Sequence, residues 1–177
     1  MLVYFLRHAS AGQSLANPQR DARRPLDKDG IRQCRDVGRL LRALDIRVDV
    51  VISSPLPRAM ETAILVAEEI GHKSKPLTDA ALGPGASFEK FRELLRRYAK
   101  REAVMVVGHN PSLSEFISLL ATGGASAKAA DMKKGAVALV DCADKQPQLS
   151  WMITPKIARA AQSAAKAARS RPKTSRK

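Results

Sequence analysis

The chain has 177 residues, a length that leaves room for one domain and a short appendage. Its 45% hydrophobic and 27% charged residues are typical of a globular protein, and they exclude a collagenous, low-complexity or wholly disordered chain. The formal net charge of +14 favours an anionic ligand or partner. Two cysteines, Cys34 and Cys142, make neither a disulfide framework nor a zinc site with paired ligand spacing.

The sequence predicts a cytoplasmic protein. The apolar run at residues 2–6 stops at Arg7 and is too short for the apolar segment of a secretory signal. No stretch approaches the roughly 20 apolar residues that a membrane helix needs. The isolated cysteines favour a reducing compartment.

The first elements alternate between strand and helix. Residues 2–6 form a continuous apolar run, which is typical of a strand buried on both faces. Residues 9–26 lack apolar periodicity and carry turn-forming residues, so we predict a loop. A helix is then predicted to begin after the N-cap Asp27, with a buried face made of Ile31, Cys34, Val37, Leu41 and Leu44.

A second strand and helix follow. Residues 48–53 predict a buried strand, and the turn at residues 54–57 leads into a helix that ends at Gly71. Residues 72–86 are rich in proline and glycine and are predicted to be irregular. The predicted buried face of this second helix consists of Ala59, Met60, Ala63, Ile64 and Ala67.

The remaining pattern completes an α/β fold. Apolar residues between 88 and 98 predict a third helix, and residues 103–107 predict a third buried strand. Ser112 and Glu115 have capping-box spacing, so a fourth helix is predicted over residues 112–122. Residues 136–142 and 148–153 predict a hairpin at the sheet edge. We therefore expect a three-layer α/β sandwich with a largely parallel central sheet flanked by helices.

The end of the sequence differs from the rest in composition. Residues 155–177 contain eight basic residues, no acidic residue and few large apolar side chains. We therefore predict a domain over residues 1–154 and a flexible, solvated basic tail over residues 155–177. A second interpretation is an arm that attracts nucleic acid or another polyanion, although the tail has no aromatic residue on which a base could stack.

Cationic side chains follow three of the predicted strands. Arg7 and His8 come after the first, Arg58 after the second and His109 after the third. Ligands of open α/β sheets bind outside the carboxyl ends of the strands, so these four side chains are expected to share one crevice. The group contains no carboxylate, which argues against a divalent metal held by oxygen ligands. The pocket therefore suits a phosphoryl group.

This residue combination indicates phosphoryl transfer without a metal or cofactor. The forked guanidinium groups of Arg7 and Arg58 can bind phosphate oxygens in pairs and spread the charge of the transition state. A neutral imidazole can attack phosphorus and form a covalent phosphohistidine. The second histidine, when protonated, would add a charge-assisted hydrogen bond to the transferring oxygens.

Three segments resemble the histidine phosphatase superfamily. They are Leu-Arg-His-Ala at residues 6–9, Ser-Ser-Pro-Leu-Pro-Arg-Ala-Met-Glu-Thr-Ala at 53–63, and Val-Gly-His-Asn-Pro-Ser at 107–112. Their order and spacing, together with Arg-Pro-Leu at 24–26 and Gly30, are most similar to the SixA-type phosphohistidine phosphatase branch. The resemblance covers roughly residues 1–153 and implies a phosphoglycerate-mutase-like fold.

The resemblance implies a role for each cationic residue. His8 is the implied nucleophile, Arg7 and Arg58 bind the phosphoryl group, and His109 completes the pocket. Ala9 stands where the wider superfamily usually has glycine, and we interpret it as a marker of the SixA-type branch.

The proton donor is not identified by the sequence. Larger superfamily members place an acidic donor on an inserted segment, whereas this chain offers only Asp79, Glu89 and Glu61 as weak candidates. A phosphohistidine leaves as an imidazole, which needs less help from a general acid than an alkoxide does. A site without a positioned acid would therefore favour cleavage of a P–N bond.

The expected function is that of a metal-independent phosphatase acting through phospho-His8 on phosphohistidine in signalling or phosphotransfer proteins. One alternative is a phosphomonoesterase for a small metabolite, such as a sugar phosphate or a nucleotide. Another is a module that binds phosphate or a polyanion without turnover. The expected partner is thus a phosphorylated protein or metabolite, with nucleic acid expected only through the basic tail.

Overall fold

The computed structural model describes residues 1–124 and 129–170. Within these residues six short strands form one sheet, and the four inner strands are largely buried whereas the two edge strands are not. Their bounds are β1 (Leu2–Arg7), β2 (Val50–Ser53), β3 (Leu77–Thr78), β4 (Ala103–Gly108), β5 (Val137–Asp141) and β6 (Gln148–Ile153).

The sheet is parallel except at one edge. The strand order is β3-β2-β4-β1-β5-β6. β1, β2, β3 and β4 run parallel, whereas β5 is antiparallel to both β1 and β6. The predicted parallel sheet with a hairpin at its edge is therefore confirmed.

Helices cover both faces of the sheet. Helices α2, α3 and α6 pack on one face and α4 and α5 on the other, which confirms the three-layer α/β sandwich. A 3-10 turn at residues 80–82 precedes α4. The helix bounds are α1 (Pro18–Ala22), α2 (Lys28–Ala43), α3 (Pro57–Ile70), α4 (Phe88–Arg97), α5 (Ser112–Thr122) and α6 (Pro155–Ser170).

Each sheet face carries its own apolar core because alternate strand residues point to opposite sides. Phe5 belongs to the core beneath α4 and α5, where Phe91 and Phe116 stack with ring centroids 4.6 Å apart. Leu6, the next residue of β1, belongs to the core beneath α2 and α3. The strands that end at the predicted pocket are thus held in place by apolar packing on both faces of the sheet.

Two segments predicted to lack regular structure contain short elements. Helix α1 lies inside the predicted loop 9–26, with the Asn17 side chain accepting a hydrogen bond from the Arg20 amide and Pro18 in its first turn. Asn-Pro is a turn signal, but asparagine also caps helices and proline is common in their first turn. In α1 the pair has this second role. Strand β3 likewise lies within residues 72–86, which were expected to be irregular.

Some predicted buried positions were wrong. Ile31 is 36% exposed and Leu44 51% exposed, because the inward face of α2 is centred on Val37 and Leu41. Ile64 of α3 is also exposed, while Thr62 and Val66 are buried. These three side chains were predicted to be buried because they are apolar, whereas contacts with the rest of the fold decide which positions of a helix turn inward.

The predicted start of α5 is confirmed, but its cap is not a capping box. Ser112 is the first helical residue, and Pro111 occupies the N-cap position without a side-chain hydrogen bond. The Ser112 hydroxyl therefore lies one position beyond the place where a serine can cap the helix.

The first part of the predicted tail is helical. Ala158 of α6 is fully buried in the core beneath α2. Arg159 Nε lies 2.9 Å from Asp36 Oδ2, and Gln162 donates to the Asp36 carbonyl at 2.6 Å. Small alanines let this helix pack closely, which a search for large apolar residues does not detect. Residues 171–177 lie outside the described residues, and the domain boundary at residue 154 stays a prediction.

Candidate active site

The four predicted cationic residues lie together at the carboxyl edge of the parallel strands. Arg7 ends β1 and is paired with Gly108 of β4, so His8 and His109 leave adjacent strands side by side. Their ring centroids are 4.9 Å apart. Arg58 lies in the first turn of α3, directly after β2, and acts electrostatically on both histidines.

His8 is held in one tautomer. Its backbone N–H donates to the Gly108 carbonyl at 3.0 Å, which fixes the residue at the end of β4. Its Nδ1 lies 2.8 Å from the Ala9 carbonyl oxygen. A carbonyl oxygen only accepts hydrogen bonds, so Nδ1 carries the proton and Nε2 keeps its lone pair. Nε2 is therefore the nucleophilic atom of this imidazole.

The surroundings keep His8 neutral. Burial is the main cause that lowers the pKa of His8 from 6.5 to about 4. The positive charges of Arg58, Arg7 and Lys134 lower it further, in opposition to the Ala9 hydrogen bond. At neutral pH the imidazole is thus unprotonated and able to attack an electrophile.

His109 is also neutral and is positioned by a serine. Its Nε2 lies 2.9 Å from Ser54 Oγ, and Ser54 is fixed by its backbone N–H, which donates to Val107 at 2.8 Å. Burial, followed by electrostatic interaction with His8, Arg58 and Arg7, lowers the pKa of His109 from 6.5 to about 3. The pairing with Ser54 orients the ring toward its partner His8 without giving it a charge.

Each of the two arginines is held by one N–H group and keeps another N–H group for a ligand. Arg7 Nη1 donates to the Met132 carbonyl at 2.7 Å, and Arg58 Nη1 donates to the Asp21 carbonyl at 2.9 Å. The Nε atoms of both are buried and have no hydrogen-bond partner among the described residues. Since an unsatisfied buried donor is costly, these N–H groups are suited to an incoming anion.

The loop after His8 is fastened to the start of α2. The Asp27 carboxylate caps α2 through the Gly30 amide at 2.7 Å and also accepts from Ser10 Oγ at 2.7 Å and the Gly12 amide at 2.8 Å. A Cβ on Gly30 would lie 2.0 Å from the Ser10 carbonyl oxygen. Glycine at position 30 is therefore required for this close approach of helix and loop.

Sequence analysis missed several residues of the pocket. Asp21 accepts from Arg24 at 2.8 Å and lies 3.8 Å from Arg58 Nη2, so it positions the second arginine. Lys134 Nζ donates to the Gly12 carbonyl at 3.3 Å and adds positive charge near His8. Burial lowers the pKa of Arg7, and the negative charge of Asp131 in the same segment opposes this shift. Asp21 lies in the short helix α1, which was not predicted, and Asp131 and Lys134 lie in a polar loop, so no sequence signal marked any of them.

The three candidate proton donors lie in other settings. Glu61 Oε2 accepts from the Leu26 amide at 2.8 Å and so supports the loop before α2. Asp79 caps the 3-10 turn through the Ala81 amide at 2.8 Å and pairs with Arg97. Glu89 is exposed in the first turn of α4. In this geometry Glu61 and Asp79 have structural roles, and Glu89 faces solvent.

Within residues 1–124 and 129–170, no group of three or more His, Cys, Asp or Glu side chains could hold a metal ion. No helix among the same residues is long and apolar enough to cross a membrane.

We expect the two histidines to make the fold sensitive to mild acid. The unfolded chain binds protons on both below about pH 6.5, whereas the folded protein does so only near pH 4 and pH 3. The free energy of unfolding should therefore fall between pH 7 and pH 5, by up to about 1.4 kcal/mol per pH unit for each histidine. Ordinary carboxyl groups titrate below this range.

Urea unfolding at pH 7, 6 and 5 measures this pH dependence. The variant His109→Gln keeps a hydrogen-bond partner for Ser54 and should show about half of the wild-type decrease in the free energy of unfolding. A free energy of unfolding that stays constant from pH 7 to pH 5 would contradict the burial of two neutral imidazoles.

Known proteins share both sequence and fold with this chain. The family model described as histidine phosphatase superfamily (branch 1) matches residues 3–83. An uncharacterized protein of Picosynechococcus sp. is 34% identical over 126 residues, which cover 70% of this chain and 74% of that protein.

Two solved structures illustrate the similarity of fold. The protein histidine phosphatase SixA complexed with tungstate superimposes with a TM-score of 0.78 at 21% identity, covering 88% of this chain and 98% of that one. The alpha-ribazole phosphatase from Shigella flexneri superimposes with a TM-score of 0.69 at 20% identity, covering 88% and 97%. The sequence match and the shared fold agree with the resemblance carried by the three motifs. The chain therefore belongs to the histidine phosphatase superfamily and is a phosphatase of that family.

Proposed function

We propose that this phosphatase hydrolyses phosphohistidine in signalling or phosphotransfer proteins through a covalent intermediate on His8. The observation that carries the proposal is the fixed tautomer of His8, whose Nδ1 is bonded to the Ala9 carbonyl at 2.8 Å and whose Nε2 keeps its lone pair. Its low pKa, about 4, keeps that lone pair available at neutral pH. The Nε donors of Arg7 and Arg58, which have no partner in the part of the chain that the structure describes, supply the phosphoryl-binding groups.

In the first step, His8 Nε2 attacks the phosphorus atom and forms a new N–P bond. The bond between phosphorus and the substrate imidazole breaks, and that imidazole leaves with the electron pair and takes up a proton from water. The Nδ1–H of His8 donates to Ala9 throughout, which stabilises the positive charge that develops on the ring. Arg7 and Arg58 balance the charge of the transferring oxygens.

In the second step, a water molecule attacks the phosphorus of phospho-His8. The N–P bond breaks, its electron pair returns to Nε2, and inorganic phosphate leaves as the water loses a proton to solvent. His8 is restored in the same tautomer because the Ala9 carbonyl continues to hold Nδ1–H. No step requires a metal or an organic cofactor.

The surroundings of the pocket support a P–N substrate. Glu61 and Asp79 are both engaged in structural hydrogen bonds, so neither is placed as a dedicated acid. An imidazole leaving group depends less on such an acid than an alkoxide does. Between α3 and α4 the chain forms only a two-residue strand and a 3-10 turn, which leaves the pocket accessible to a side chain on another protein.

A second candidate substrate is a small phosphate ester. Similarity of fold to alpha-ribazole phosphatase favours it, since the same architecture there serves a small-molecule phosphatase. The additional charge of Lys134 beside His8 is compatible with either substrate. A module that binds phosphate without turnover would not need the free Nε2 of His8.

Relative rates on two substrates distinguish the candidates. A protein or peptide phosphorylated on histidine is compared with an aryl phosphate, using phosphate release as the readout. We expect kcat/KM to be higher for phosphohistidine by at least tenfold. A higher kcat/KM on the aryl phosphate or on a sugar phosphate would contradict the proposed substrate class, and release from neither would favour the binding module.

A further inference from the structure

A row of basic side chains lies along the solvent face of α2. Lys28, Arg32, Arg35, Arg39 and Arg42 are all exposed. Their spacings of four, three, four and three residues place them within an arc of about 80° on a helix of 3.6 residues per turn. At 1.5 Å per residue the row is about 21 Å long. We name these five residues the α2 stripe.

The α2 stripe contains no acidic residue, although α2 has two. Asp36 lies toward α6, where it pairs with Arg159, and Asp29 pairs with Arg32 at the start of the helix. On the other flank Glu69 of α3 lies 3.7 Å from Arg39. Among the described residues, Lys28, Arg35 and Arg42 form no ion pair. The result is a narrow positive row bordered by carboxylates.

The α2 stripe begins beside the pocket. Lys28 directly follows Asp27, whose carboxylate binds Ser10 Oγ and the Gly12 amide in the loop after His8. A macromolecule that inserts a phosphorylated side chain at His8 therefore meets the first turn of α2 at the rim of the site. From there the remaining charges extend down the flank of the protein.

We propose that the α2 stripe docks the acidic face of a helix in the phosphoprotein substrate. This inference rests on the proposed function. A helix with glutamate or aspartate at every third or fourth position presents a single row of carboxylates that matches the row on α2 in spacing and length. Paired rows of opposite charge on adjacent helices set partner choice and orientation in coiled coils.

The bordering carboxylates favour a protein helix over nucleic acid. A nucleic-acid duplex carries phosphates on both sides of each groove, so a broad contact would bring phosphates close to Glu69 and Asp36 on the two flanks. A single acidic helix contacts only the central row. The stripe also lacks an aromatic residue on which a base could stack.

Two matched peptides test the docking surface. Both are designed helices of about 25 residues with one phosphohistidine near an end; one carries Glu along a single face and the other carries Gln at the same positions. We expect the wild-type protein to turn over the Glu peptide with a roughly fivefold lower KM at low salt, as two exposed ion pairs would give. High salt should remove the difference.

The variant Arg35→Gln/Arg42→Gln should lose the preference for the Glu peptide while keeping the wild-type rate on an aryl phosphate. Lys90→Gln/Arg96→Gln, which removes two exposed charges from α4 on the opposite layer, is the matched control and should keep the preference. A preference that survives in the α2 variant, or equal KM values in the wild-type protein, would overturn the proposal.

Two further measurements separate the alternatives. Dissociation constants of the unphosphorylated Glu and Gln peptides report docking even when the phosphohistidine activity itself is absent, so failure of the proposed substrate is distinguishable from failure of the docking surface. Duplex DNA binding that is lost in the Arg35→Gln/Arg42→Gln variant, with peptide preference unchanged, would assign the stripe to nucleic acid and overturn the proposal.

Discussion

Replacing His8 by alanine is expected to lower turnover on the order of 10⁴-fold or more, the size seen when a nucleophile is removed from a concerted catalytic group. The variant has no atom in place of Nε2, which carries the covalent step. The fold should persist, since Arg7 stays bonded to Met132 and β1 stays paired with β4. Phosphate release and thermal unfolding measured together check both statements.

His72→Ala is the matched control. This third histidine lies outside the pocket, with Nδ1 3.1 Å from the Val48 carbonyl, and its loss should leave turnover unchanged. Added imidazole should restore part of the activity of His8→Ala by occupying the vacated space as an external nucleophile. Retention of a tenth or more of the wild-type rate in His8→Ala would exclude His8 as the nucleophile.

The second large effect is expected for Arg58→Ala, with a loss of about 10²- to 10³-fold in kcat, as for removal of one preorganised electrostatic donor. Arg58 is 6% exposed, and the hydrogen bond from Nη1 to the Asp21 carbonyl fixes the guanidinium before substrate arrives, while its Nε–H has no partner among the described residues. A lysine offers one compact ammonium in place of this fork, so Arg58→Lys should recover little of the loss.

Two controls separate binding of the phosphoryl group from general electrostatics. Arg20→Ala removes an exposed arginine from α1 and should change kcat less than twofold. Asp21→Asn keeps the main-chain carbonyl that accepts from Arg58 Nη1 and removes the negative charge that lies 3.8 Å from Nη2 and also pairs with Arg24, so its effect should be intermediate. An Arg58→Ala variant with wild-type kcat would contradict direct contact of Arg58 with the phosphoryl group.

The sequence was sufficient for the parts of the site that lie at strand ends. Continuous apolar runs predict buried parallel strands, and such strands bring the residues that follow them to one edge. Arg7, His8, Arg58 and His109 were therefore expected together, and the structure brings them together. Their catalytic roles stay predictions until the variants are measured.

The sequence was not sufficient where long-range contacts decide the structure. Asp21 reaches Arg58 across 37 residues, and Met132 reaches Arg7 across 125, so no local pattern connects them. The packing of α6 depends on one buried alanine and on Asp36 rather than on a row of large apolar residues. Fixation of the His8 tautomer likewise depends on backbone geometry at Ala9, which composition does not encode.

The central claim is the covalent intermediate on His8, and trapping that intermediate tests it most directly. The protein is mixed with a ³²P-labelled phosphohistidine peptide, quenched in alkali within milliseconds and digested for mapping. We expect label on the peptide that contains His8, with the alkali stability and acid lability of a phosphoramidate, and no label in His8→Ala. Phosphate release at the wild-type rate without labelled protein, or label that maps to another residue, would contradict the account.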